Sequence, residues 1–229
     1  MARPNRRCRV KRPARLVIGD KNYSSWSLRP WLLLRQRGIE FEEVRLPLDT
    51  PEFAQTIARW SPTGRVPVLL DGDVRVWDSL AICEYVSERW LRGRGWPSDR
   101  YERAIARAIS AEMHSGFAAL RTAMPMNCRK FYPGFKIPKD AQRDLERVCQ
   151  LWRDCRRRNA RHGDFLFGKF SIADAMYAPV IFRFVSYDID LAPIERDYSD
   201  AMRALPAMVE WVEAANAETH VLPTHDHVI

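Results

Sequence analysis

Arg65-Val66-Pro67-Val68-Leu69-Leu70-Asp71-Gly72-Asp73-Val74-Arg75-Val76-Trp77-Asp78-Ser79 is the stretch on which the fold turns. Val66 to Leu70 reads as a buried strand, with Pro67 at its start, where a missing N–H takes nothing from the ladder. Asp71-Gly72-Asp73 is a hairpin signal, because Gly takes positive φ without a steric penalty. Val74 to Trp77 returns as the partner strand. Asp78-Ser79 then opens a helix, since both side chains accept the N–H groups that a first turn leaves unpaired. Ile82, Val86 and Trp90 follow at helical spacing.

Toward the N-terminus, Leu16-Val17-Ile18-Gly19 reads as a buried strand and Asp20 to Ser25 as a polar loop. Leu28, Trp31, Leu32 and Leu34 mark a helix stopped at Gly38. Pro30 belongs in a first turn, which makes Ser27 the expected N-cap. Phe41 to Leu46 alternates like a half-buried strand. Asp49 or Thr50 before Pro51 opens a helix through Trp60, which Ser61-Pro62-Thr63-Gly64 breaks. Residues 16–91 therefore read β-α-β-α-β-β-α: a mixed sheet with parallel strands joined by a helix, then an antiparallel hairpin.

Toward the C-terminus, Gly93-Arg94-Gly95-Trp96-Pro97-Ser98 reads as a linker. Beyond it the pattern is all-helical. Ile105, Ile109 and Met113 mark one long helix, Leu145, Val148, Leu151 and Trp152 another. Ser171-Ile172-Ala173-Asp174 opens a third, and Met208, Val209, Trp211 and Val212 lie in a fourth. Met124-Pro125-Met126-Asn127 breaks or kinks the chain. The expected organisation is a basic tail (1–13), an α/β domain (14–92), a linker (93–99), a helical domain (100–217) and a C-terminal tail (218–229).

Composition narrows the functional classes. Of 229 residues, 46% are apolar and 11% aromatic, enough for full cores. No apolar run approaches the ~18 residues of a membrane span, so the chain reads as soluble and globular. The net charge of +8 suggests nucleic acid until it is located. Arg3, Arg6, Arg7, Arg9, Lys11, Arg12 and Arg15 carry nearly all of it, with no acid among the first fifteen residues. The remainder is almost neutral, so nucleic-acid binding is not the expectation. Cys8, Cys83, Cys128, Cys149 and Cys155 are odd in number and show no C-x-x-C spacing, which fits a reducing cytoplasm rather than a disulfide framework. His225 and His227 alone are too few ligands for a metal site, and none is expected. Arg153, Arg156, Arg157, Arg158 and Arg161 read as a solvated helical face.

The motifs combine into a resemblance. The β-α-β-α-β-β-α order, Val66-Pro67 ahead of the third strand, Asp78-Ser79 after the fourth, the hydroxyl-rich loop Asn22-Tyr23-Ser24-Ser25-Trp26-Ser27-Leu28-Arg29-Pro30 and the Ser171-Asp174 capping box resemble the glutathione transferase superfamily. The nearest pattern is that of its bacterial serine-type, zeta-like cytosolic members. The resemblance covers residues 14 to about 217. It implies a thioredoxin-like N-terminal domain, an all-helical C-terminal domain, a cytoplasmic homodimer and a role in detoxification. It also implies that glutathione is the co-substrate and that its thiolate attacks a hydrophobic electrophile. Conjugation, dehalogenation and peroxide reduction all use that thiolate. Maleylacetoacetate isomerisation is the alternative within the fold, although this loop lacks the cysteine of the Ser-Ser-Cys-Ser-Trp-Arg pattern. A protein-interaction module without catalysis is the alternative outside enzymes.

Carried over residue by residue, the resemblance makes Ser24 the catalytic serine, with Ser25 and Tyr23 as alternatives. It gives Val66, Pro67, Asp78 and Ser79, with Arg65 beside them, to glutathione. Trp26, Met113, His114, Phe117 and Arg121 are the expected walls of the second-substrate pocket. Arg29, Ser171 and Asp174 are expected to brace the fold. The chemistry is physically reasonable. A free cysteine thiol has a pKa of ~8.5, and lowering it by ~2 units requires ~2.7 kcal/mol. A hydrogen bond to the charged sulfur supplies ~1.5–3 kcal/mol, and a helix N-terminus adds ~0.3–1 kcal/mol.

Overall fold

The computed structural model describes residues 13–226. The N-terminal unit contains β1 (Ala14–Ile18), α1 (Ser25–Gln36), β2 (Phe41–Arg45), α2 (Pro51–Trp60), β3 (Val68–Asp71), β4 (Val74–Trp77) and α3 (Ser79–Leu91). The helical unit contains α4 (Arg100–Ser115), α5 (Ala118–Ala123), α6 (Lys139–Asn159), α7 (Ile172–Ser186), α8 (Pro193–Arg203), α9 (Pro206–Ala217) and α10 (Pro223–Asp226). The sheet order is β2-β1-β3-β4. β1 runs parallel to β2 and antiparallel to β3, and β4 closes the hairpin with Val68 opposite Trp77. This is the mixed sheet that the alternation of strands and helices requires.

Two details of α1 differ from expectation. The helix begins at Ser25 with Ser24 as its N-cap, and Pro30 lies inside it. Ser27 is not the cap because its Oγ serves β1, accepting the Gly19 N–H at 3.1 Å. The helix therefore starts a turn earlier, and proline sits in its second turn.

The two units share one apolar core. Leu16, Trp31 and Ile82 join Trp152, Tyr177 and Trp211 in it, and the Trp31 and Trp211 rings meet edge-on at 4.9 Å. A smaller cluster of Val17, Leu46, Ile57 and Val68 lies on the other face of the sheet. α7 is predominantly apolar, with Asp174 and Arg183 as its two charges, and is buried along nearly its whole length, as a helix surrounded by others must be. The linker is a tight crossing. Gly95 donates to Ser87 Oγ at 3.1 Å, and its carbonyl accepts the Ile172 N–H at 2.9 Å. A Cβ there would stand 2.7 Å from Ser87 Oγ and 2.8 Å from Ile172 Cδ1, so any larger residue forces those side chains aside.

The helical unit corrects further expectations. Gly116 ends α4, its N–H returning to Glu112 O at 2.8 Å, and Phe117 takes φ 56° before α5 starts. Met113, His114, Phe117 and Arg121 therefore do not lie on one helix. The basic run on α6 is not a uniformly solvated face. Arg156 is buried and donates to Gly163 O at 2.6 Å, and Arg153 pairs with the buried Glu195 at 2.6 Å. Residues 218–226 dock on the loop after β1 instead of trailing as a tail. Of the proposed basic tail, residues 1–12 lie outside the described part, as do His227 and the side chain of His225.

Candidate functional site

A cleft runs between the helical unit and the end of the sheet where β1 and β4 finish and β3 begins. It consists of two adjoining pockets that share Trp26, Arg65 and Val66. One, of ≈ 300 Å³, adds Thr63, Pro67, Trp77, Asp78, Ser79 and His114. The other, of ≈ 390 Å³, adds Tyr23, Ser24, Ser25, Arg121 and Arg183 among others. Each is large enough for part of a small ligand.

Sequence places two helix N-termini on this cleft. The loop after β1 delivers Ser24 as the N-cap of α1, buried, with Ser25 half-buried at the first helical position. Ser24 Oγ donates to Ser27 Oγ at 2.7 Å. The first-turn N–H groups of a helix have no intrahelical acceptor and attract an anion. The hairpin end delivers α3. Asp78 caps it by accepting the Leu80 and Ala81 N–H groups at 2.9 and 3.2 Å. Asp78 holds φ 76°, a conformation disfavoured for any residue with a Cβ and concentrated at functional sites. Ser79 is buried at the first helical position and accepts a long 3.5 Å hydrogen bond from Arg29 Nη1, which ties α1 to α3. The Val66–Pro67 peptide is cis.

The helical unit supplies the opposite wall, though not through every expected residue. His114 Nε2 lies 3.1 Å from Asp78 Oδ2, and its ring meets Trp26 edge-on at 5.3 Å. His114 thus joins the pocket that holds Asp78 and Ser79. Arg121 lines the pocket beside Ser24, with its guanidinium 5.1 Å from the Trp26 ring centre. Met113, on the inner face of α4, and Phe117, just after the break at Gly116, are buried in the shared core and line neither pocket. Residues the sequence reading passed over also line the cleft: Thr63, Trp77, Leu48, Phe53 and Arg183. For Arg183 a signal existed, a lone charge inside the apolar run Met176 to Val185, where burial demands a reason.

Tyr23, the other alternative, is tied to the C-terminal segment. Its hydroxyl donates to Asp226 Oδ1 at 2.8 Å and accepts from Arg129 Nη2 at 2.9 Å and from the Leu222 N–H at 3.2 Å. Glu218 accepts the Lys21 and Asn22 N–H groups at 2.8 and 3.0 Å, and His220 Nδ1 meets Asp20 Oδ2 at 3.0 Å. The C-terminal segment therefore fixes the loop that presents Ser24. Replacing Tyr23 with Phe strands the Leu222 N–H, and the expected loss is about 1–2 kcal/mol of stability. A chemical denaturation midpoint checks this. Turnover measured alongside should change little, because the hydroxyl is already engaged by Asp226, Arg129 and the Leu222 N–H.

Burial pushes the described cysteine thiols up, Cys149 to about 11 and Cys128 and Cys155 to about 12, with Cys83 higher still. None of these is a ready thiolate at neutral pH. Among the described residues, no group of three or more His, Cys, Asp or Glu is arranged to hold a metal ion, and no helix is long and apolar enough to cross a membrane.

Comparison with known proteins agrees with this architecture. Residues 23–89 match the glutathione S-transferase N-terminal domain, and residues 98–214 match the glutathione S-transferase C-terminal domain. The chain belongs to the glutathione S-transferase family. A dichloromethane dehalogenase of Methylophilus leisingeri is 39% identical over 66 residues, 27% of this chain and 24% of that protein. The chain thus spans about a quarter of the dehalogenase it matches. The maleylacetoacetate isomerase of Rattus norvegicus is 28% identical over 185 residues, 74% of this chain and 78% of that protein. Among solved structures, a glutathione transferase homologue from Burkholderia with bound glutathione superimposes with a TM-score of 0.68 at 24% identity, covering 90% of this chain and 100% of that one.

Proposed function

We propose that this protein is a glutathione transferase that binds glutathione along the cleft, holds its sulfur as thiolate and directs it at an electrophilic small molecule. The observation that carries the reading is the convergence of two helix N-termini, each with a serine, on one cleft lined by Val66, Pro67, Asp78 and Ser79. The donor set suits the tripeptide. The N-terminus of α3 and Ser79 favour a carboxylate such as the γ-glutamyl one. Asp78 Oδ2, beside His114, favours the amine. Arg65, exposed at the junction of the pockets, favours a further carboxylate, and Val66 and Pro67 offer an extended backbone edge. Bound glutathione supplies the nucleophile, for which the buried cysteines of the chain are poorly suited.

In this reading Ser24 is the thiol's hydrogen-bond donor. Its O–H turns from Ser27 Oγ to the sulfur, exchanging a neutral hydrogen bond for a stronger charged one. Ser25 is the alternative donor, half-buried in the same pocket. Maleylacetoacetate isomerisation would require the same thiolate, and the 28% likeness to the rat isomerase keeps it as the second reading. A homodimer in the cytoplasm belongs to the same proposal. Val74 and Trp77 on β4 and Tyr101 on α4 are large apolar side chains left exposed, and the free state of the described cysteines fits a reducing compartment.

The test is calorimetric titration with glutathione. The expected result is saturable binding, weakened about tenfold by Ser79→Ala through loss of one hydrogen bond to a charged group. No heat, together with no retention on immobilised glutathione, would leave a module that keeps the fold without the chemistry.

A further inference from the structure

The pocket beside Ser24 is not simply apolar. Trp26, Leu48 and Phe53 line it, but so do three guanidiniums, those of Arg65, Arg121 and Arg183, with the exposed Asp49 as its carboxylate. Directly behind stands Arg29, fully buried, its guanidinium 4.1 Å from the Trp26 ring centre and its Nε without a hydrogen-bond partner. Arg183 is buried too, and its guanidinium donates to the carbonyls of Met124 and Pro179 at 2.8 and 3.2 Å. Arg121 donates to the His114 carbonyl at 3.3 Å. Among the described residues, no carboxylate forms an ion pair with Arg29, Arg65, Arg121 or Arg183.

Such an arrangement is unfavourable by itself. A buried charge is normally paired, and carbonyl oxygens offset only part of its desolvation. Like charges add to the penalty. Burial, then Arg183 and Arg121, pull the Arg29 guanidinium down to about 9, and burial followed by Arg121 pulls Arg183 down to about 10. A low-dielectric wall lined with one sign of charge focuses its field into the pocket. An anion there would supply the missing partner, and guanidinium forks match a planar carboxylate in two-point contact.

We propose that the second substrate is an electrophile carrying a carboxylate, which docks on Arg121 and Arg183 while its reactive carbon faces the thiol beside Ser24. This rests on the glutathione transferase reading and refines the apolar electrophile expected from the sequence. The apolar body of the substrate lies against Trp26 and Phe53, and the carboxylate reaches the helical wall.

A matched pair of aryl chlorides tests it: 4-chloro-3,5-dinitrobenzoate and its methyl ester. With each, the thiolate sulfur bonds to the ring carbon bearing chlorine, the C–Cl bond breaks, and chloride leaves with the bonding pair. Each kcat/KM is divided by the uncatalysed rate constant with glutathione, which removes the intrinsic reactivity difference. The wild type is expected to favour the acid about tenfold or more, the scale of one charged hydrogen bond. Arg121→Met should abolish the preference, bringing the normalised acid-to-ester ratio to about one, and leave the KM for glutathione nearly unchanged, because Arg121 is not among the residues given to the tripeptide. Arg121→Lys should restore part of it. The unchanged glutathione KM separates the electrophile's carboxylate from those of the tripeptide. Arg121 is half-buried at the pocket wall, so its replacement spares the core that Arg183 and Arg29 occupy. Equal normalised rates for acid and ester, or a preference that survives Arg121→Met, would overturn the inference while leaving the transferase reading intact. Loss of both reactions together with absent glutathione binding would remove the transferase reading itself.

Discussion

Ser24→Ala is expected to lower kcat/KM for conjugation by roughly 10–150-fold at neutral pH, the range set by one hydrogen bond to a charged group. The loss should come from the thiol's ionisation and not from binding. In the enzyme–glutathione complex the thiol pKa should rise by about 1–2 units, visible in the ultraviolet absorbance of the thiolate. The pH–rate profile should move with it, so the deficit shrinks as pH rises toward the free thiol's range, where solvent alone ionises the sulfur. Glutathione affinity should hold, because Asp78, Ser79 and the N-terminus of α3 are untouched. The helix should hold too, because the Ser24 side chain makes no cap hydrogen bond to α1 and Ser27 Oγ still accepts the Gly19 N–H. Ser25→Ala is the internal comparison. A large loss there and a small one at Ser24 transfers the role to Ser25. Equal rates in both variants and the wild type would eliminate a serine hydroxyl as thiol activator.

Much of this site could be read in the sequence because its elements are local. Asp78 and Ser79 follow a hairpin whose turn is written in Asp71-Gly72-Asp73, and Val66-Pro67 stands next to the strand it leads. Even there the local rule failed once. Pro30 marks a first turn only if nothing outside the helix decides, and Ser27 was taken by the Gly19 N–H at the end of β1. The helical wall was less legible because its geometry depends on contacts distant in sequence. Met113 and His114 are neighbours, yet one enters the core and the other meets Asp78 from another unit. Tyr23 looked like a possible thiol donor beside the serines. Its hydroxyl also bonds Asp226, 203 positions away, and no local pattern predicts that pairing. Arg183 shows the opposite case. The apolar run around it is plain, but only the packed structure reveals that its guanidinium stands at a pocket with Arg121.

The largest expected effect on stability belongs to Asp174. Its carboxylate is fully buried and accepts the Leu166 N–H at 3.0 Å, the Ser171 N–H at 2.8 Å and Ser171 Oγ at 3.0 Å. It thereby fastens the start of the central helix α7 to the segment that precedes it. Asp174→Ala leaves these donors buried and unpaired, and the expected loss is about 3–5 kcal/mol, enough to threaten a marginally stable fold. A subtler variant reports the electrostatics. Burial, opposed by those hydrogen bonds, raises the Asp174 pKa to about 6. A carboxyl group raised on folding contributes stability that is complete below its unfolded pKa of ~3.9 and is lost as pH rises through its folded value. Two units correspond to ~3 kcal/mol withdrawn between about pH 4 and pH 6. Asp174→Asn cannot ionise and lacks this term. Its unfolding free energy, measured by equilibrium denaturation beside the wild type, should fall further behind as pH drops from 7 to 4.5, with the other titrating groups cancelling in the difference. A gap that stays constant, or narrows on acidification, would show that the hydrogen bonds outweigh burial and that the carboxylate is ionised in the fold throughout this range.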